Sequence, residues 1–489
     1  MLDAAMASMR FAVSTLFGLP FSQRSLERLY RSAVQTQEEF GGLGAESAQV
    51  LAGPAWDDEA RRFFQGRRFR AQAVRGARET DYYGKLFTGL GVDPRRMEID
   101  DIADLPVTPK QALREDPEAF VRRGARVGVR ATTTGTTGWP TSVYFSHEEL
   151  RAMATLSSLG FLAQGLMASD DLVQISISTR NALGLQAVTA AASGVGAGLH
   201  VAGLVHPEQT LQLLAERHHH PGKKPQVSVM STYPSYLGEL VEHGRRLGYG
   251  PNDFGLERVL SASEIVTEGL QRRASELFGP IEIVQSYAMT ELAPMGADVC
   301  REGHLHFEPS IGLVEVISLD HGGRVRDGEP GTIVATPFAP FRETTVLLRY
   351  DTEDVVAAID RPLTCELRNL PATSNVLGRK GSSVRHEHGW TFPRHVLEAL
   401  DEVNEVPAPA RFGFWAVPGG VAVEVLVRNA TADVRRRIDD ALQGRGIPVR
   451  ELRLVEDRRD LRQPVPLRCD LREGQSESRR NEHLAGRGA

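Results

Sequence analysis

Between Leu172 and Ser286 the chain repeats one pattern, and that pattern narrows the fold more than any other stretch. Short apolar runs recur at Leu172-Val173-Gln174-Ile175-Ser176-Ile177-Ser178, Val201-Ala202-Gly203-Leu204-Val205, Val227-Ser228-Val229-Met230, Val259-Leu260-Ser261-Ala262 and Ile281-Glu282-Ile283-Val284-Gln285-Ser286. Helical stretches separate them, among them residues 207–216 and the small, nearly uncharged span from Ala187 to Gly198. Strands that alternate with helices are joined by crossovers, so they pair in parallel and carry helices on their faces. The expected class is α/β, with parallel-rich sheets flanked by helices in a large N-terminal domain. Ligands in such sheets gather beyond the C-terminal ends of the strands. Arg180, Asn181, Tyr233, Tyr236 and Ser286 lie at such ends and are the substrate-binding candidates.

A chain of 489 residues implies more than one core, since domains hold roughly 100–200 residues. Apolar content of 41% and charge of 25% describe a soluble globular protein. The formal net charge of −6 argues against a nucleic-acid partner, which selects a basic footprint. The apolar run Phe11-Ala12-Val13-Ser14-Thr15-Leu16-Phe17 is too short to span a bilayer, and Asp3 spoils a basic leader. It is expected to be a buried N-terminal segment, with no membrane partner. Three cysteines make no disulfide framework, so a cytoplasmic location is expected. Lysine is scarce: Lys85, Lys110, Lys223, Lys224 and Lys380 are all there are.

Upstream of the strand–helix repeats stands Ala131-Thr132-Thr133-Thr134-Gly135-Thr136-Thr137-Gly138-Trp139-Pro140-Thr141. Its glycines allow tight turns that present consecutive N–H groups, and its hydroxyls add donors, so it can wrap a polyphosphate without a cation. It is not a Walker A loop, because no lysine follows Gly138. A polar surface hairpin is the plainer alternative, though the threonine density speaks against it. Ser146-His147-Glu148-Glu149 then reads as an N-cap and acidic first turn. Trp56-Asp57-Asp58-Glu59 is a second helix start, in an arginine-rich helical segment over residues 1–75. His218-His219-His220 runs into Pro221-Gly222-Lys223-Lys224-Pro225 and reads as a solvated turn, not a metal cage.

The threonine loop resembles the phosphate loop of adenylate-forming enzymes, the superfamily of acyl-CoA ligases, peptide-synthetase adenylation domains and luciferases. The order of motifs from about residue 80 to residue 400 is similar to that of the phenylacetate-CoA ligase branch. Tyr82-Tyr83, Gly91-Val92-Asp93-Pro94 and Asp104-Leu105-Pro106 through Lys110 match its N-terminal signature, which by itself carries little chemistry. The resemblance implies ATP and Mg²⁺ as cofactors. Thr133, Thr134, Gly135, Thr136, Thr137 and Gly138 would hold the β- and γ-phosphates. Ser263 and Glu264 would line the adenine pocket, with serine where the family usually has glycine. Tyr287-Ala288-Met289-Thr290-Glu291 matches the family's Tyr-Gly-x-Thr-Glu. There an aromatic ring can stack on adenine, Thr290 can bind the α-phosphate, and Glu291 can hold Mg²⁺, which prefers oxygen. The plainer alternative has Tyr287 packed in a core and Glu291 capping a helix. By the same match Asp354 binds the ribose hydroxyls, beside Glu353 in place of a glycine, and Arg379 contacts ribose or phosphate. Thr133, Thr290, Glu291 and Arg379 are the catalytic candidates.

Cys300, His306 and Cys365 echo a Cys/His set of that branch, although its later Cys-x-Cys here reads Cys365-Glu366-Leu367. They suit Zn²⁺, which takes four ligands, and Glu366 or His304 could complete them. The alternative is ordinary buried thiols.

Four segments are expected: an N-terminal helical segment (1–75), a large adenylate-forming domain (76–379), a small mobile α+β lid (380–472) and a disordered tail (473–489). The family's lysine near the end of the lid falls on Val465, and the loop's usual lysine falls on Trp139. The leading expectation is a ligase that activates an acid, by resemblance an aromatic carboxylate, and transfers it to a nucleophile such as CoA. The lost lysines open two others: an amine acceptor, with amide formation or nitrite-dependent diazotisation, and a degenerate nucleotide-binding homologue. The partners are then a small-molecule acid and an acceptor nucleophile, and a homodimer stays open.

Overall fold

The strand–helix alternation becomes a parallel sheet. In the computed structural model, which describes residues 2–40, 57–133 and 140–471, Gly198–Val201 lies beside Leu172–Ser176, followed by Val229–Thr232 and Arg258–Ala262, each pair parallel. Val229–Thr232 is buried at every position, as a central strand covered on both faces must be. Helices Pro207–Ala215, Pro234–Leu247 and Glu268–Phe278 alternate with these strands. Proline opens the first two, where its missing N–H costs nothing. One strand differs from expectation. The apolar run Val201 to Val205 is not the strand; Gly198–Val201 is, and it is mostly exposed as the first of the four strands in this order. Gly203 takes a left-handed φ of 71° that turns the chain away.

The chain divides into two compact units: Met1–Ser169 with Arg180–Ala197 and Ser286–Asn375, and Asp170–Thr179 with Gly198–Gln285 and Val376–Ala489. The parallel sheet belongs to the second. That unit also holds the C-terminal α+β element. There Gly420–Leu426 pairs antiparallel with Phe412–Val417 and parallel with Val449–Val455. Helices Pro393–Asp401 and Ala432–Gly444 pack on these strands through Val396, Leu400, Val423, Ile438 and Leu442, all within 1% of full burial. Polar bonds fasten it: Thr267, the N-cap of Glu268–Phe278, donates to Asp401, and buried Arg273 donates to the carbonyls of Val406 and Val403 at 2.8 and 2.7 Å.

In the first unit the threonine loop springs from a hairpin, with Val129–Thr132 antiparallel to Ser142–Phe145. Helix His147–Ala163 follows, and its start is the expected one, with Ser146 and Glu149 forming a reciprocal capping box. Glu149 also accepts from the backbone N–H of Glu343 and Thr344 at 2.7 and 2.9 Å. Gly312–Ser318, Pro330–Pro337 and Tyr350–Ala357 form an antiparallel meander. The end of Glu282–Ala288 pairs with Gly296–Val299, which pairs with Leu305–Phe307. Tyr83, Phe120, Phe145, Phe338 and Tyr350 fill the core.

Asp57 caps helix Asp58–Glu79 as its sequence implies. The N-terminal apolar run departs from expectation. It is helix Leu2–Phe17, and Met9, Val13, Leu16 and Phe17 are exposed among the described residues. A helix buries one face, and here Ala7 and Thr15 are the residues turned inward. No described helix is long and apolar enough to cross a membrane. The tail, 473–489, lies outside the described residues.

Candidate active site

Strand Glu282–Ala288 delivers Tyr287 half-buried, and its hydroxyl donates to Asp354 Oδ2 at 2.9 Å. Asp354 stands on Tyr350–Ala357, its N–H held by Thr352 Oγ1 at 3.1 Å. Two residues matched separately to the base and the ribose thus meet, 67 positions apart in sequence. Ala288 is exposed and Met289 buried, with its sulfur 3.1 Å from the Tyr287 hydroxyl. Thr290 and Glu291 follow in a turn.

Glu291 is 1% exposed, and its Oε1 lies 3.1 Å from Lys110 Nζ and 3.2 Å from the Tyr350 hydroxyl. A carboxylate in so dry a place needs a partner, and the ammonium provides one. Its oxygens are hard ligands of the kind Mg²⁺ takes, and the Lys110 ammonium would have to move aside for that ion to bind there. Lys110 is the residue that reading the sequence missed. The Asp104–Lys110 element looked chemically inert, yet its lysine reaches the heart of the Tyr287–Glu291 motif. The available signal was the scarcity of lysine. Arg342 was missed as well. It is fully buried, stacks over the Phe145 ring at 3.8 Å and donates to Tyr144 O at 3.1 Å. Burial pushes its pKa down to about 10, against the opposing pull of Glu149 and Glu291.

Thr133 closes the neck of the threonine loop. Its N–H donates to Thr141 O and its Oγ1 accepts from Thr141 N, both at 2.9 Å, which leaves the hydroxyl proton to donate elsewhere. Thr134, Gly135, Thr136, Thr137, Gly138 and Trp139 lie outside the described residues.

In the second unit, Glu264 is half-buried and accepts from Ser235 N at 2.9 Å and from Arg468 N at 2.5 Å. Burial raises its carboxyl pKa, and those bonds pull it back. Ser263 has φ 75°, and in the first unit Glu353 has φ 63°. Both positions where glycine is usual thus keep the backbone that glycine favours, now with a side chain. Arg379 is half-buried, and its carbonyl accepts from Ser383 Oγ at 2.8 Å.

The substrate candidates divide. Ser286 and Arg180 are exposed at strand ends. Asn181 caps helix Ala182–Val195, its Oδ1 accepting from Gly184 N at 3.2 Å. Tyr233 is buried before helix Pro234–Leu247. Tyr236 is fully buried, and its hydroxyl donates to Val205 O and pairs with Thr210 Oγ1, each at 2.7 Å, so it braces the framework.

Cys300, His304, His306 and Cys365 converge, with one ligand atom from each lying within 4.8 Å of the others. Cys300 Sγ is 3.6 Å from His304 Nδ1 and Cys365 Sγ 3.3 Å from His306 Nε2. That donor set and spacing fit a tetrahedral Zn²⁺. His304 is the residue placed to complete the set, whereas Glu366 accepts from Arg301 N at 2.9 Å.

The chain is similar to several known proteins. A family model described as AMP-binding enzyme matches residues 131–337. Phenylacetate-coenzyme A ligase of Thermus thermophilus is 26% identical over 344 residues, covering 66% of this chain and 72% of the relative. That of Aromatoleum evansii is 26% identical over 340 residues, covering 67% and 72%. Among solved structures, 2-hydroxyisobutyryl-CoA ligase in the postadenylation state superposes with a TM-score of 0.69 at 17% identity, over 88% of this chain and 94% of that one. Residues 131–337 are thus similar to an AMP-binding enzyme domain, and the chain is similar over about two thirds of its length to phenylacetate-coenzyme A ligases.

Proposed function

We propose that the chain activates a small carboxylic acid, aromatic by its resemblance, and transfers the acyl group to CoA. A carboxylate oxygen attacks the α-phosphorus of ATP, the bond to the β-phosphate oxygen breaks, and pyrophosphate leaves. The thiol of CoA then attacks the acyl carbon and AMP departs. The family match assigns Tyr287, Ala288, Met289, Ser263 and Glu264 to the adenine, Asp354 to the ribose and Arg379 to ribose or phosphate. Thr133 through Gly138 hold the outer phosphates and Thr290 the inner one. Glu291 would hold Mg²⁺, which would supply neutralisation of phosphate charge and a better pyrophosphate leaving group. The single observation that carries the reading is the 2.9 Å bond between Tyr287 and Asp354, one motif away from a buried, cation-paired Glu291.

Residues 380–472 serve as the lid. One feature favours a second acceptor. Val465 stands where the family has lysine, packs against the C-terminal core and donates its N–H to Phe412 O at 2.8 Å. Without that ammonium the acceptor could be an amine, with the acid a carboxylate or nitrite. The Cys300–His304–His306–Cys365 knot holds a structural zinc. The test is a pyrophosphate-release screen over aromatic acids and nitrite, with and without CoA and aromatic amines, reading products by mass spectrometry. Release is expected in the wild type and is lost in Glu291→Gln and Asp354→Ala. Near-normal turnover in both variants refutes the assignment.

A further inference from the structure

We propose that two copies of this chain associate through helix Leu2–Phe17, each laying the outer face of that helix against the other. The inference does not depend on the reaction above. The inner face of the helix is already occupied. Ala7 and Thr15 are buried, and the Phe11 ring stacks on Phe21 at 5.3 Å, which meets Phe341 edge-on at 5.1 Å. The outer face carries Met6, Met9, Val13 and Leu16, which are 37, 62, 40 and 49% exposed. Their steps of three, four and three residues are those of the a and d positions of a heptad, so they line one side of the helix. Such a seam fits a second helix, because each apolar side chain enters a hole between four side chains of the partner.

The apolar surface extends past the end of the seam. Phe17 is 58% exposed, and Phe63 on the neighbouring helix Asp58–Glu79 is 66% exposed. Arg67 joins them, its guanidinium 6.0 Å from the centroid of the first ring and 5.8 Å from that of the second. These six side chains leave on the order of 600 Å² of apolar surface open, the upper end of what a monomer leaves bare. Each partner in a stable interface contributes ~800 Å², and the exposed Ser8, Arg10 and Ala12 beside the seam supply the remainder.

Charge selects the occupant. The helix carries one aspartate, Asp3, one arginine, Arg10, and no lysine. An anionic membrane favours a helix with a strongly basic polar face, and a highly charged protein favours the opposite charge. A nearly neutral seam suits its own copy, because a two-fold axis sets the same surface against itself and would oppose any strong charge to its like. The sequence of residues 41–56 is a poor match for the seam. It holds Gly41, Gly42, Gly44, Gly53 and Pro54, which disfavour a helix, and its Leu43, Val50 and Leu51 do not alternate by three and four. Residues 473–489 are almost wholly polar.

The test uses the full chain. Light scattering is expected to give the mass of two chains above about 10 µM and to fall towards one on dilution to about 0.1 µM, the strength of a modest interface. Met9→Glu combined with Leu16→Glu puts two charges on the seam. It is expected to weaken association at least about 10-fold while leaving urea unfolding of the monomer unchanged, since both positions are exposed in the single chain. Val13→Cys supplies a second measurement. Cys300, Cys365 and Cys469 are buried, so a short bis-maleimide should link two chains through position 13. Asp440→Cys, exposed on helix Ala432–Gly444, should give no such link. A single-chain mass at every concentration overturns the inference, as does a dimer that the double glutamate variant leaves intact. Slow maleimide labelling of Val13→Cys in dilute protein overturns it too, by showing the seam covered from within the chain. So does binding of a monomeric wild type to phosphatidylserine–phosphatidylcholine vesicles that the double variant abolishes, which assigns the face to a membrane.

Discussion

Replacing Lys110 with methionine isolates the contact on which the candidate site most depends. The Lys110 and Glu291 side chains are 3% and 1% exposed and 3.1 Å apart, so water and salt screen the pair little. Methionine nearly preserves the volume but removes the ammonium beside Glu291, leaving the buried Arg342 as a positive neighbour. Removing one partner of a buried pair costs about 3–5 kcal/mol. The Tyr350 hydroxyl at 3.2 Å and the Arg342 charge still stabilise the carboxylate, so a loss toward the lower end, roughly 2–4 kcal/mol, is expected. Lys110→Met with Glu291→Gln removes both charges and should recover at least about half of the loss, since neutral groups bury far more cheaply. Urea unfolding of the wild type, both single variants and the double variant at neutral pH measures the cycle. A Lys110→Met loss below about 1 kcal/mol, or strictly additive single effects, refutes the reasoning.

Ser263→Gly and Glu353→Gly should each raise unfolding free energy by about 0.5–1 kcal/mol, because relief of left-handed strain exceeds the added freedom of the unfolded chain; a loss of stability in urea unfolding contradicts this. Burial holds the Asp401 carboxyl up at about 6, against an ordinary 3.8. Its folded form therefore prefers the proton: the contribution to stability is full below about pH 3.8 and is lost as pH rises through about 6, a change of roughly 3 kcal/mol. Asp401→Asn lacks that dependence, so its stability relative to wild type should grow between pH 4 and 7 in urea titrations; a flat difference refutes it. Protein purified without chelator should contain about one zinc per chain by elemental analysis, and Cys365→Ser should lose it while keeping the Cys300 thiol. An equal zinc content in that variant rules the knot out.

Much of the fold was legible because its causes are local. Serine and aspartate before acidic first turns foretold the starts at His147 and Asp58, since a cap bonds within its own turn. Alternating strands and helices foretold the parallel sheet from crossover length alone. The N-terminal run misled because apolar content says how much surface a helix would hide, not whether a neighbour covers it. Strand bounds slipped around Gly198–Val201 because an edge strand needs little apolar pattern.

The candidate site divides along the same line. Tyr287 through Glu291 adjoin in sequence, so their chemistry could be read as a unit, and Asp354 could be read from its own motif. Their meeting could not. The Lys110–Glu291 pair, the 2.9 Å bond of Tyr287 to Asp354 and the choice of His304 over Glu366 all join distant segments. Residue type and spacing state what a side chain can do. Which partner it does it with depends on how strands and helices pack, and only the tertiary structure decides that, because a contact between distant segments leaves no periodicity in either of them.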